Sequence, residues 1–365
     1  MSTDGVRTAF HAPQRELGCE FMEWEGWQWP NHFGDPAAEH RAVREGVGIW
    51  DESPLRKWDF RGPDALRAAD RIFTNDMLGL EVGQIRYAPF CDAEGKMVGD
   101  GTAFKFDDSH AWVITALDSD LDHFRDVVTG LDVAIEPLTA ELPHVQLQGP
   151  GARDLLAGLC EDAAGLRYFR FLPAQVRVGG VPAWVSRTGY SGEVGYEIFC
   201  SPDDAAALWD ALTAAGATPY GLAAVETLRI ESGLIFIGYD YFQHVTSPYD
   251  MSLDKVIRLD TGEFNGKQAL AATVQSPPRR LVTLAVDGGD VPEYGAAVTS
   301  GGEPAGTLTS PCESPTLGRV IGLAALETHF AVPGSRVEVA LGDGSVAATV
   351  ESLPIYDPEK RRPRA

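Results

Sequence analysis

After Pro277-Pro278 the pattern of this chain changes, and that change limits its architecture more than any other feature. From Arg280 to Ser352 apolar and polar residues alternate in short runs, divided by glycine-rich turns at 287–290, 300–303 and 341–344. Alternation with a period of two builds half-buried strands and no helix. Strands that follow one another with no helix to cover them must close on themselves or pack in two layers. A small all-β barrel or sandwich is therefore expected over this stretch.

Before the break the signals are mixed. Asp35-Pro36 caps and opens a helix ending near Gly46, and Gly62-Pro63 leads into another with Leu66, Ala69, Ile72 and Phe73 at helical spacing. Residues 85–116 read as three strands with turns at 93–96 and 107–110. There follow a helix from about Ser119 to Val128, a strand at 144–148, a helix opened by Pro150, a hairpin turning at Gly179-Gly180, and helices after Pro202 and Gly221. This part is α+β. The closing stretch Asp357–Ala365 reads as disordered.

Composition narrows the partners. Acidic residues outnumber basic ones 53 to 30, for a formal charge of −23, which repels a phosphate backbone and argues against nucleic acid. The five cysteines form no C-x-x-C pair and the eight histidines do not cluster, which points to a reducing compartment and no metal. The first ten residues lack the pattern of a signal peptide and no apolar run reaches membrane length, so a cytoplasmic protein with no membrane partner is expected. Neither QGPGARD at 148–154 nor GYSGEVG at 189–195 is the G-x-G-x-x-G of a dinucleotide site.

Two stretches can carry chemistry. Asp100 stands between Gly99 and Gly101 in a strand-like run, where a flat ligand can approach it, although an aspartate beside glycine is most often a turn residue. From Ser186 to Glu197, three glycines at intervals of three interleave with Tyr190, Glu193, Tyr196 and Glu197. A carboxylate there can read paired N–H donors, such as those of a 2-amino-4-oxo pyrimidine ring, while aromatics stack on it. Arg229 and Glu231 lie on different faces of the helix after Gly221 and, taken alone, read as solvated charges.

These stretches stand in an order that resembles the T-protein (aminomethyltransferase) family of folate-dependent enzymes. The similar blocks are 21–30 with 39–53, VQLQGPGA at 145–152, SRTGYSGEVGYEI at 186–198, GLAAVETLRIESGL at 221–234, TSPYDMSLDKVIRLD at 246–260 with FNGKQAL at 264–270, and SPTLGRVIGLA at 314–324. The resemblance implies a three-domain ring, α+β in class. It comprises a discontinuous folate-binding domain over 1–50 and 141–270, a second α+β domain over 51–140, and a C-terminal β-barrel over 278–356. It also implies tetrahydrofolate as the one-carbon acceptor. Asp100 matches the family's essential carboxylate; Tyr87, Thr115, Tyr190, Glu197 and Arg229 match positions around the folate.

The departures bear on the reaction. Family members that cleave glycine show S-H-M where this chain has Ser53-Pro54-Leu55, two aspartates where it has Gly99-Asp100, asparagine at Thr115, and R-D at Val225-Glu226. VGDGTAF at 98–104 and the stretch 233–244 are more similar to folate-dependent demethylases. The expectation is therefore a demethylase that moves a methyl group from a small O-, S- or N-methyl donor to tetrahydrofolate, giving 5-methyltetrahydrofolate without a lipoyl carrier protein. Glycine-cleavage-type aminomethyl transfer and non-catalytic folate binding are the alternatives. A sulfonium or ammonium donor leaves neutral and favours an aromatic box, whereas an ether needs a proton donor. Trp29 and Trp58 suit the first, and Arg56, Lys57, Tyr239, Tyr241 and His244 the second.

Overall fold

The computed structural model describes residues 5–365. Three short strands, β1 (Val6–Arg7), β2 (Glu20–Trp24) and β3 (Trp27–His32), form a small sheet in the order β1-β3-β2. The helix Pro36–Glu45 follows, opened as expected: the Asp35 carboxylate accepts from the N–H groups of Ala37 and Ala38. Strands β4 (Gly48–Asp51) and β5 (Arg56–Arg61) are only four residues apart, yet they belong to different sheets. β6 (Ile85–Cys91), β7 (Met97–Asp107), β8 (His110–Thr115) and β9 (Ala134–Pro137) join β5 in the order β6-β7-β8-β5-β9. β10 (His144–Gln148), β11 (Val176–Val178), β12 (Val181–Ser186), β13 (Gly195–Phe199) and β14 (Thr218–Pro219) join β4 in the order β11-β12-β13-β10-β4-β14.

Strand alternation decides what each sheet offers. In the six-stranded sheet Ile49, Val145, Leu147, Val185 and Ile198 point outward into a core covered by the helices Ala152–Leu159 and Ala205–Ala214. The opposite, inner face carries Trp50, Gln146, Glu197 and Ser186 as one cross-strand row. The five-stranded sheet turns Trp58, Phe60, Phe90, Ala103 and Val113 towards the helices Ala65–Ile72 and Asp120–Val127. Its inner face presents Ile85, Phe104, Trp112 and Ile114, which pack on Phe199 and Trp184 of the other sheet. Ring centroids lie 6.0 Å apart for Phe104–Phe199 and 5.2 Å for Trp112–Trp184. The two sheets thus stand face to face, joined by an apolar seam. Polar side chains collect beside that seam.

The all-β stretch after Pro277 closes into a six-stranded barrel: β15 (Arg279–Val286), β16 (Ala297–Ser300), β17 (Glu303–Ser314), β18 (Arg319–Glu327), β19 (Arg336–Leu341) and β20 (Gly344–Glu351), in the order β15-β18-β17-β16-β19-β20. Closure removes the unpaired edges that so short a set of strands would otherwise expose.

The tail differs from expectation. Residues 357–365 are folded against the body: Arg362 pairs with Glu193 at 3.4 Å, Pro363 is buried, and the Ala365 carbonyl accepts from Arg153 at 2.7 Å and Arg187 at 2.9 Å. One tail cation meets the buried Glu193 carboxylate and two arginines of the body meet the Ala365 carbonyl, pairings that local composition does not reveal. All five cysteines are buried and unbonded, and among the described residues no helix is long and apolar enough to cross a membrane.

Candidate active site

Asp100 lies on the inner face of β7, diagonal to Tyr87 on β6, because Pro89 pairs with Asp100 and Tyr87 with Thr102. The Tyr87 hydroxyl donates to Asp100 Oδ2 at 2.8 Å, and the Tyr241 hydroxyl donates to Oδ1. Tyr241 arrives from the loop after the helix Leu222–Glu231 and is fully buried. Burial raises the pKa of the Asp100 carboxyl, and the hydrogen bonds from Tyr241 and Tyr87 oppose that rise. Both phenols are held well above the usual range, by burial first and then by the charge of Asp100. They remain donors while Asp100 is ionised. Two tyrosine hydroxyls fix the Asp100 carboxylate.

The flanking glycines serve the sheet, not a ligand. A Cβ on Gly101 would lie 2.2 Å from the Ile114 carbonyl, and one on Gly99 would lie 2.4 Å from the Phe90 ring. The glycines of the loop after Ser186 are likewise filled by the protein itself. Gly189 and Gly195 pack on the Gln148 side chain and Gly192 on Ser232, each at a would-be Cβ distance of 2.1 to 2.2 Å.

Glu197 faces the gap between the sheets from β13 and is partly buried. Its recorded side-chain contacts are weak or local: Ser186 Oγ donates to it at 3.5 Å, and Thr188 hydrogen-bonds it. Burial raises it to about 7, opposed by Thr188 and by the positive charge of Lys57. Acceptor capacity remains free, which fits a ring edge that presents paired N–H donors. Tyr190 gives its N–H to Gln146 Oε1 at 3.1 Å and its hydroxyl to the Ile235 carbonyl at 2.5 Å, and like Trp24 and Phe236 it packs against the core that holds Trp29 and Trp50. Trp24 lies tilted on Trp29 and Trp29 stacks on Trp50, with centroids 4.8 and 5.0 Å apart, and Trp50 stands in the same cross-strand row as Glu197, with Gln146 between them.

Other expected residues stand elsewhere. Register turns Thr115, Arg56 and Trp58 to the outer face of the five-stranded sheet, away from Asp100. The Trp58 indole N–H donates to Thr115 Oγ1 at 2.9 Å, and Arg56 is held by Asp118 at 2.7 Å. Trp29 is only 1% exposed and donates its indole N–H to the Asp51 carbonyl, so it is wall, not an open box. Arg229 is fully buried, and its five N–H donors all go to protein: Glu226 twice, Asp240, Ser310 and the Leu234 carbonyl. Neither Arg229 nor Glu231 is solvated. His244 is on the surface, paired with Asp92 at 2.8 Å. Among the described residues no cluster of His, Cys, Asp or Glu could hold a metal.

Sequence reasoning gave no site role to Gln146 or Glu52, and offered Lys57 only beside Arg56 as a group for an ether or acidic substrate. Gln146 was within reach: in HVQLQ it alternates with Val145 and Leu147, the mark of a strand whose second face is polar. Glu52 and Lys57 become neighbours only through the crossing between sheets.

Residues 10–261 match the GCVT N-terminal domain family and residues 279–357 the glycine cleavage T-protein C-terminal barrel domain family. The chain is 37% identical to the aminomethyltransferase of Rubrobacter xylanophilus, covering 98% of this chain and 96% of that protein. It is 36% identical to the trimethylamine-oxide aldolase of Ruegeria pomeroyi, covering 98% of this chain and 48% of that longer protein. In fold it matches the glycine cleavage system aminomethyltransferase T from Bartonella henselae with a TM-score of 0.86 at 24% identity, covering 96% of this chain and 98% of that one. The chain belongs to the T-protein family, folate-dependent one-carbon transferases that use tetrahydrofolate as the acceptor.

Proposed function

We propose that this protein transfers an aminomethyl carbon to tetrahydrofolate bound between the two sheets. The observation that carries the reading is the pairing, on facing sheets, of a phenol-clamped carboxylate, Asp100, with an under-used carboxylate, Glu197. The relatives named aminomethyltransferase support this donor class over the methyl donors expected from sequence. The folate supplies the nucleophilic nitrogen. The chain's own residues do the rest: Glu197 takes ring N–H donors and fixes orientation, which near-attack alignment requires. Asp100 accepts the proton that this nitrogen sheds and stabilises positive charge there beforehand. Tyr87 and Tyr241 keep the carboxylate aimed. Trp50 and Trp24 help to exclude water from the same gap.

A methyl donor is the second reading, favoured by one observation. Gly99 is pressed on Phe90, so a second aspartate beside Asp100 would have to displace a buried ring. The similarity to a trimethylamine-oxide aldolase accords with that departure. The test is to offer the protein tetrahydrofolate with an aminomethyl-lipoyl donor, and separately with methyl ethers, betaines and sulfonium acids. Formation of 5,10-methylenetetrahydrofolate supports the first reading; 5-methyltetrahydrofolate alone overturns it in favour of the second. Tetrahydrofolate should also raise the melting temperature of the wild type and not that of Glu197→Ala; no shift in either removes both readings.

A further inference from the structure

We propose that Asp240 is a positioning residue for the reaction: the barrel grips its carboxylate, and the loop anchored in this way presents the Tyr241 hydroxyl to Asp100. The proposal rests on the reading of Asp100 as the group that takes the proton from the acceptor nitrogen.

The loop spans 233–247, after the helix Leu222–Glu231, and is held at two places. The first is Asp240, whose side chain is fully buried. Its Oδ1 accepts from the Thr309 hydroxyl at 2.6 Å and the Ser310 hydroxyl at 2.7 Å, both on β17 of the barrel. Its Oδ2 accepts from Arg229 Nη1 at 2.8 Å and from the Phe236 N–H at 2.9 Å, which folds the loop back on its own start. A buried carboxylate needs such donors, and donors on both oxygens fix its orientation. The second place is β7. There the His244 N–H donates to the Met97 carbonyl, the Met97 N–H to the Thr246 carbonyl and Gln243 Nε2 to the Val98 carbonyl, each at 2.8 Å.

Tyr241 lies between these anchorages. It belongs to a core that contains Leu281, Cys312, Ile321 and Leu323 of the barrel and Met97 of β7, and its hydroxyl reaches Asp100 Oδ1. The barrel thus bears on Asp100 through the loop. Two hydroxyls hold one residue, and the next residue holds the reacting carboxylate. The titratable groups facing Asp100 are the phenols of Tyr87 on β6, Tyr241 in this loop and Tyr190 in the loop after β12, with Asp120 at the start of the helix Asp120–Val127. Tyr87 and Tyr241 oppose the rise that burial gives the Asp100 pKa. Tyr190 and Asp120 are unaltered by the substitutions below.

The experiment loosens the grip at the barrel and reads the proton at Asp100. Thr309→Val with Ser310→Ala takes both hydroxyl donors from Asp240 Oδ1. When the loop relaxes and Tyr241 leaves Asp100, the carboxylate loses a donor that favours its ionised form, so its pKa rises. The acid limb of the kcat profile should then move up by roughly one pH unit, which lowers kcat on the acid side about tenfold. KM for tetrahydrofolate should change less than about twofold, because the lost interaction bears on the proton and not on binding. Tyr241→Phe should move the limb by the same amount, and adding the barrel substitutions to it should move the limb no further. Thr309→Ser keeps the hydroxyl and should keep the wild-type limb. A clasp that only stabilises the fold would lower the melting temperature and leave the limb in place. That result overturns the proposal, as do shifts that add in the triple variant or a Tyr241→Phe profile identical to wild type. If the double variant does not fold, Thr309→Val against Thr309→Ser decides by the same limb. Turnover is followed with whichever donor class named above is used. Near-normal turnover in Asp100→Asn, or none in the wild type with any donor, defeats the reading of Asp100 and this inference with it; an inactive Asp100→Asn with an unmoved limb defeats the inference alone.

Discussion

Tyr87 and Tyr241 donate to opposite oxygens of Asp100, so they hold the carboxylate's orientation and oppose, without cancelling, the rise that burial gives its pKa. Two consequences follow from charge alone. Asp100→Asn keeps an acceptor oxygen for one phenol but cannot take a proton; tetrahydrofolate should still bind while kcat falls by about 10²- to 10⁴-fold. Near-normal turnover in that variant would remove Asp100 from the chemistry. Tyr87→Phe deletes one of the hydrogen bonds that hold the Asp100 pKa down against burial. Its proton affinity then rises, and the acid limb of the kcat profile should move to higher pH. A limb that stays put means that this phenol does not bear on the reacting proton.

Strand register explains both what could be read from sequence and what could not. The helix at Pro36–Glu45, the strands at 85–115, the hairpin at Gly179-Gly180 and the late barrel follow from caps, alternation and turns, all local signals. Facing is not local. Thr115 and Asp100 sit on neighbouring strands, yet register puts their side chains on opposite faces, and Arg56 and Trp58 go with Thr115. Arg229 looked like a free charge because its partners Asp240 and Ser310 lie 11 and 81 residues away. The glycines around Asp100 also change meaning at this scale. Gly101→Ala places a methyl against the backbone of β8, which cannot swing aside, so it should cost about 1–3 kcal/mol in urea unfolding. Gly158, in the helix Ala152–Leu159 with nothing near its would-be Cβ, gives the contrast. Gly158→Ala should stabilise by about 0.5–1 kcal/mol. Equal effects at the two positions would contradict the packing argument.

At the scale of the whole molecule, the barrel is fastened to the sheets by hydroxyls that meet buried carboxylates. Thr309 and Ser310 donate to Asp240 at 2.6 and 2.7 Å, while Ser314 and Thr316 donate to Glu231 at 2.5 and 3.0 Å. His40 lies in this seam, 1% exposed, with Nδ1 at 2.6 Å from Thr227 and Nε2 at 2.8 Å from Thr316. Burial lowers its pKa to about 4, against the pull of Glu231. In the unfolded chain the same imidazole titrates near 6.5. Between those values the unfolded state binds the extra proton, so the stability that rests on neutral His40 is complete above about pH 6.5 and is lost as pH falls towards 4. The loss attributable to this group is roughly 3 kcal/mol. His40→Gln keeps a side chain able to hydrogen-bond both threonines but removes the titration. Urea unfolding at pH 7, 5.5 and 4 should therefore show the wild type losing roughly 3 kcal/mol more than the variant across that range. Limited proteolysis at the segment 273–278 should report the same difference as earlier release of the barrel on acidification. Parallel stability curves for the two proteins would mean that the seam yields to acid through its carboxylates, with His40 a bystander.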